Sequence, residues 1–305
     1  MKKFLSVLLA SAMVMSLLTA CGGNDAAQTD AAGNETEDAA TTDAEDVAAP
    51  EAEDEAAPET EDAAEGEDAA AAADGEVSEV LADGVLTVGT NAEFPPFEYV
   101  DDNGEADGFD IALIKAIGEK LGVTVEVENM EFDSLVASIG SKIDVAIAGM
   151  TVTDERKESV DFSDAYYDAL QYVIVPEGSE IASFDDLAGK TIGVQLGTTG
   201  DIIASDDVEG ANVSQYNKAV DAVNDLLNGR VDCVIIDKNP AQVFEAQFAG
   251  QVKALDGAMF NFEVENYAIA LPKDDAVLAG QVNAALEEIK ADGTFDKLVA
   301  DYIEQ

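Results

Sequence analysis

Residues 22–79 hold 21 Asp and Glu and not one Lys or Arg, and no aromatic residue, Ile or Leu lies among them. Such a segment cannot bury enough apolar surface to offset the entropy of ordering it, and its like charges repel, so it is expected to stay an unfolded acidic Ala/Asp/Glu linker. Pro50 and Pro58 punctuate it further. A neutral flexible coil of that length averages roughly 40 Å end to end, and self-repulsion extends it. A packed fold must therefore come from the rest of the chain, and branched and aromatic side chains return at Val80.

Ahead of the linker, Lys2 and Lys3 precede an apolar run over 4–18, shorter than a comfortable bilayer crossing and ordered as a secretory leader is. The run closes in Leu18-Thr19-Ala20-Cys21-Gly22, which resembles the bacterial lipobox. The resemblance makes residues 1–21 a lipoprotein signal peptide, with diacylglycerol and palmitate carried at Cys21. The competing reading is an ordinary cleaved secretory peptide with a coincidental Cys.

Charge narrows the function. The chain carries 15 basic and 65 acidic side chains, a formal charge of −50, and residues 80–305 alone hold 13 bases against 44 acids. A field of that sign repels nucleic-acid phosphates, so no nucleic-acid partner is expected. There is no His and there are only two Cys, which removes the usual general base and the commonest zinc ligand sets. No catalytic residue, metal or cofactor is expected. With Cys21 lipidated, Cys233 is the one thiol left; in Val231-Asp232-Cys233-Val234-Ile235-Ile236 it reads as a small buried hydrophobe, and no disulfide is expected.

The 226 residues from Val80 onward exceed what one compact core usually needs, so two lobes are expected. Residues 85–88 and the alternating 123–127 read as strands. Phe109–Leu121 carries Ile111, Ile114, Ile117 and Leu121 at helical spacing, 132–139 reads as a helix, and 144–148 as a buried strand. The rhythm continues through strand-like 191–194, helical 219–227 and strand-like 231–236 and 267–271, before closing helices over 276–290 and 294–303. Alternation of this kind predicts α/β lobes with largely parallel sheets, whose ligands sit beyond the carboxyl ends of the strands.

Four loops that follow strands carry the polar groups. In Thr90-Asn91-Ala92-Glu93-Phe94-Pro95-Pro96-Phe97-Glu98-Tyr99 the proline pair holds Phe94 extended, presenting an aromatic either to a ligand or to a lobe edge. In Ala148-Gly149-Met150-Thr151-Val152-Thr153-Asp154-Glu155-Arg156-Lys157 a buried strand meets a helix start with Thr153 as N-cap. Gly149 admits a ligand to the backbone and Thr151 offers a hydroxyl. Arg156, one of only two arginines, either binds an anion such as a carboxylate or pairs with Asp154 or Glu155. The third loop, Val194-Gln195-Leu196-Gly197-Thr198-Thr199-Gly200, offers amides and hydroxyls suited to a carboxylate or a phosphate, although Asp201 stands where a P-loop needs Lys. Asp237, after the apolar run 231–236, either caps the next helix or faces a cation across a cleft.

Taken together these segments resemble the extracytoplasmic solute-binding proteins of polar amino-acid ABC importers, solute-binding family 3. The resemblance spans essentially all of 80–305 and rests on the strings at 91–98, Gly108-Phe109-Asp110, Phe132-Asp133-Ser134-Leu135, 148–156 and Asp161-Phe162-Ser163-Asp164-Ala165-Tyr166-Tyr167. It implies a two-lobed α/β fold of the periplasmic-binding-protein type 2, with a hinge and a central ligand cleft. Lobe one is then 80–167 plus 268–305, lobe two is 171–264, and the hinge lies near 166–170 and 265–267. It also implies a ligand carboxylate held by Arg156, Thr151 and amides near Gly149, Thr198 and Thr199, an ammonium held by Asp237, and a ligand body between Phe94 and Phe132. Asn91 and Gln195, neutral where some members carry Asp or Lys, bear on the ligand side chain; a glutamine-like polar ligand and Arg or Lys both stay open.

The function so implied is capture of an amino acid by cleft closure and its delivery to an ABC permease. The agent is a monomeric lipoprotein on the outer face of the cytoplasmic membrane, and the long spacer points to a monoderm bacterium. Two other readings share the fold: a ligand-sensing module for a receptor partner, and a dehydratase-like enzyme, which needs an acid or base placed in the cleft.

Overall fold

The structure, a computed structural model, describes residues 77–304. The signal peptide, Cys21 and the linker through residue 76 lie outside the described residues. Packing is established by Ser78, two residues ahead of the expected start: its hydroxyl donates to Asp275 at 2.7 Å and its N–H to Gln281 at 3.2 Å.

The chain lays down β1 (Val85–Thr90), then a small antiparallel set of β2 (Glu93–Phe94), β3 (Glu98–Val100) and β4 (Ala106–Asp107), then helix α1 (Phe109–Leu121). Phe109, Leu113, Ile114 and Ile117 form the buried stripe of α1. β5 (Thr124–Asn129) follows. The helix expected over 132–139 is a 3-10 turn, Phe132–Ser134, running into the short α2 (Leu135–Ser138). β6 (Val145–Ala146), α3 (Asp154–Ser159) and β7 (Asp161–Phe162) complete this pass. β8 (Tyr167–Pro176) then leads to β9 (Thr191–Gln195), α4 (Thr199–Ile202), β10 (Asn212–Tyr216), α5 (Ala219–Leu227), β11 (Cys233–Asp237), α6 (Lys238–Gln247) and β12 (Val252–Leu255). β13 (Val264–Tyr267) returns the chain to β14 (Ala270–Leu271), α7 (Ala276–Ala291) and α8 (Thr294–Leu298), which passes into a π turn, Val299–Ile303.

These strands form two main sheets, ordered β5-β1-β6-β14-β7 and β10-β9-β11-β8-β12, with β13 beside β8. Each has three parallel strands, β5-β1-β6 and β10-β9-β11, as the strand–helix alternation predicts. In each path one inserted strand opposes the other four, which share one direction. β8 runs antiparallel to β11 and β12, and β14 antiparallel to β6 and β7. Both strands arrive from the other lobe without a covering helix, and only a parallel neighbour requires such a crossover.

Both faces of the second sheet are covered. Along β11, Val234 and Ile236 pack into one core while Cys233 and Ile235 pack into another, the two-residue period of a strand buried on both sides. Cys233 is therefore a core thiol, pushed up to about 12 by desolvation.

β8 serves both halves of the molecule. Its residues 167–170 pair with β13 as a two-stranded antiparallel ribbon joining the lobes, and its remainder enters the second sheet. Beside this ribbon the carboxyl ends of β1 and β6 face those of β9 and β11, which puts the cleft where α/β sheets bind their ligands.

Candidate functional site

Asn91, Phe94, Phe132, Gly149, Thr151, Arg156, Gln195, Thr198, Thr199 and Asp237 all line one cleft, together with Glu98 and Ala148. Its free volume is about 10 Å³, on the order of a single water molecule, so its walls are drawn close together.

Arg156 is the cation of this cleft. Thr153 caps α3 by accepting the Arg156 N–H at 3.2 Å, which fixes the turn that carries the guanidinium. Nη1 donates to the Thr151 carbonyl at 2.5 Å, and Nη2 crosses to the Gly197 carbonyl of the second lobe at 2.9 Å. The group lies over the Phe132 ring, 5.3 Å from its centroid. Arg156 is only 9 % exposed. Among the described residues no carboxylate forms an ion pair with it, and Asp154 pairs with Lys157 instead. Burial pulls its pKa below the ordinary arginine value, opposed by the more distant charges of Glu265 and Asp237. A buried guanidinium without a paired carboxylate is costly and favours an incoming anion. Because α3 has six residues, this preference rests on the guanidinium rather than on a helix dipole.

Asp237 is its counterpart on the second lobe. It stands at the N-cap of α6, yet its side chain makes no capping bond; Oδ1 instead accepts from the Tyr267 hydroxyl at 2.6 Å. The capping alternative therefore falls. The carboxyl is buried, and desolvation, followed by the charge of Glu265, pushes it up to about 7. A cation brought beside it would reverse that shift.

Gly149 sits at φ 50°, and a Cβ there would stand 3.0 Å from Phe94 Cε1 and 3.3 Å from Tyr267 Cε2. The positive φ favours glycine, and any larger residue would also crowd the two rings. Phe94 is extended within β2 and stacks on Phe97 with centroids 6.0 Å apart, so it serves the lobe core and the cleft wall together.

Asn91 and Gln195 meet each other. Gln195 Nε2 donates to Asn91 Oδ1 at 2.8 Å and to the Asn217 carbonyl at 3.1 Å, while Asn91 Nδ2 donates to the Met130 carbonyl at 2.8 Å. The threonine hydroxyls are also engaged. Thr198 caps α4, accepting the Asp201 N–H at 3.3 Å and donating to the Gln195 carbonyl at 2.8 Å. Thr151 and Thr199 both donate to Glu265 Oε2, at 2.6 and 2.8 Å.

Glu265 is thus one of three carboxyls that sequence reasoning did not place at the site. Glu98 is 1 % exposed, and among the described residues no N–H or hydroxyl donates to its oxygens; its hydrogen-bond neighbour is the Asp110 carboxyl, which it can meet only through a shared proton. Asp110, fully buried at the first turn of α1, accepts the Gly149 N–H at 2.7 Å and the Tyr166 hydroxyl at 2.8 Å through Oδ2 and lies within hydrogen-bond reach of Glu98. Burial, then the neighbouring Asp110, push Glu98 well above the usual carboxylate range. Burial raises Asp110 to about 6 in spite of its donors. The sequence does carry a trace of these two: each is a lone acid in an apolar setting, Phe97-Glu98-Tyr99 and Phe109-Asp110-Ile111.

Residues 86–305 match the bacterial extracellular solute-binding proteins, family 3. The chain is 36% identical over 217 residues to an arginine-binding extracellular protein of Bacillus subtilis, covering 70% of this chain and 84% of that relative. Among solved structures, an ancestral arginine-binding protein bound to arginine is 44% identical with a TM-score of 0.67, covering 72% of this chain and 98% of the other. An ancestral arginine-binding protein bound to glutamine is 43% identical with a TM-score of 0.67, covering 73% and 99%.

Proposed function

The chain belongs to the bacterial extracellular solute-binding proteins, family 3, and from that premise we propose that it captures a free amino acid between its lobes and delivers it to an ABC permease. One observation carries this reading: the cleft opposes two charges that no ion pair among the described residues meets, the buried Arg156 without a carboxylate partner and the buried Asp237 without a cationic one. A zwitterion answers both. Its carboxylate takes the guanidinium fork and amides near Gly149, Thr198 and Thr199, and its ammonium takes Asp237. The two groups come from different lobes, so the ligand binds the closed arrangement better than the open one and shifts the population toward it.

Phe94 and Phe132 cover the ligand body in this reading, and its side chain reaches Asn91 and Gln195. Those neutral amides offer hydrogen bonds without a full charge, which suits a polar or basic amino acid. A relative named for arginine, and a related structure that holds glutamine, support the same class. The lobes are 80–167 with 268–305, and 171–264, turning about the β8–β13 ribbon. Cys21 carries the lipid, and the acidic linker spaces the lobes from the outer face of the cytoplasmic membrane of a monoderm cell.

Calorimetric titration of the full chain, unfolded and refolded to strip bound ligand, against each of the twenty amino acids tests this. Binding of a few polar or basic ones is expected; binding of none overturns it.

A further inference from the structure

Glu265 lies on the ribbon that joins the lobes, and three donors converge on its Oε2: Thr151 from the first lobe at 2.6 Å, Thr199 from the second at 2.8 Å, and Gln171 of β8 at 3.4 Å. Gln171 Nε2 also donates to Thr199 Oγ1 at 3.0 Å, which closes the network on the second-lobe side. Among the described residues no Lys or Arg forms an ion pair with Glu265, so hydroxyls and an amide supply its donors. A threonine hydroxyl has one proton to give. With that proton on Glu265, the rotamers of Thr151 and Thr199 are fixed relative to one shared point. The two threonines sit on opposite walls of the cleft, so rotating one lobe away from the other must break at least one of these bonds. Hydrogen bonds to a carboxylate are of the stronger kind.

We infer that Glu265 is a latch, a positioning residue that holds the lobes together and sets Thr151 and Thr199 on the cleft wall. It rests on the reading that the lobes close over an amino acid. Glu265→Gln keeps the size and one acceptor oxygen but removes the charge, so its bonds to the threonines lose their charge assistance. Glu265→Asp keeps the charge but shortens the reach by one methylene, so both threonines cannot be held at once.

Small-angle scattering on the ligand-free full chain, with stopped-flow release of L-arginine and L-glutamine, tests the latch. Both variants are expected to be more expanded than the parent and to release ligand about tenfold faster or more, the size of a lost charge-assisted hydrogen bond. Thr199→Val should speed release alone, yet add little on the Glu265→Gln background. Parental scattering and release rates in both variants, or fully additive effects of Glu265→Gln and Thr199→Val, overturn the inference. If the parent binds no amino acid, the functional reading falls while the scattering comparison still decides the latch.

Discussion

Gln195 and Asn91 are joined across the cleft, with Gln195 Nε2 donating to Asn91 Oδ1 at 2.8 Å from the end of β9 to the loop after β1. The bond fixes which atom of each amide faces which neighbour, because Asn91 Nδ2 is already committed to the Met130 carbonyl. The end of the cleft that these two amides line is therefore neutral and hydrogen-bonded. Asn91→Asp keeps the acceptor for Gln195 but adds a negative charge. It should shift the ratio of dissociation constants toward L-arginine over L-glutamine by about tenfold, the scale of one added charge complement in a partly desolvated site. Competition calorimetry reads that ratio directly.

Arg156 makes a prediction that does not depend on the ligand side chain. Arg156→Ala should abolish binding of every amino acid alike, and Arg156→Lys, which keeps charge but loses the fork, should weaken binding about a hundredfold. Retention of parental affinity in Arg156→Ala would remove the carboxylate clamp.

The pH dependence has a definite sign. With its carboxyl raised to about 7 in the folded, ligand-free protein, Asp237 holds a proton that the unfolded chain has released above about pH 4. Ligand-free stability therefore falls as pH rises from about 4 toward 7. An ammonium beside Asp237 favours the ionised form, so binding expels the proton, and affinity should weaken by up to tenfold per pH unit below about 7. Calorimetry in buffers of different ionisation enthalpy counts the proton, and Asp237→Asn should eliminate it.

Glu98 contributes in the same direction to stability. Its buried carboxyl, hydrogen-bonded to the Asp110 carboxyl, retains its proton on folding, so the folded state loses ground as pH rises above the ordinary glutamate range. Glu98→Gln replaces the acid with a permanently neutral group that can donate to Asp110. Denaturant titrations from pH 5 to 8 should show a flatter stability profile in the variant than in the parent.

Much of this was legible in the sequence, and for identifiable reasons. Phe109–Leu121 forms a helix because its isoleucines recur at helical spacing, and β11 is buried because 231–236 is almost wholly apolar. The nine residues singled out in the four loops share one cleft because α/β topology gathers loops at the carboxyl ends of strands, and Phe132, which the family resemblance supplied, joins them there. What could not be read were partners that depend on three-dimensional closure. Nothing local distinguishes Glu265 from the exposed Glu263 two positions earlier, and its role appears only when Thr151 and Thr199 approach from separate lobes. The antiparallel entry of β8 was hidden in the same way, since periodicity reports burial but not strand direction. That Asp237 does not cap α6 could not be read either, because the hydroxyl it accepts from, Tyr267, lies thirty positions away.

The central claim is that Arg156 and Asp237 hold the two ends of one zwitterion, and the most direct measurement uses analogues that remove one end at a time. For whichever of L-arginine and L-glutamine binds the refolded full chain more tightly, titrations would compare the free amino acid with its carboxamide and its N-acetyl derivative. Loss of about a hundredfold or more in affinity for each analogue is predicted, because each leaves one buried charge unanswered. An analogue that binds as tightly as the free amino acid would contradict the claim.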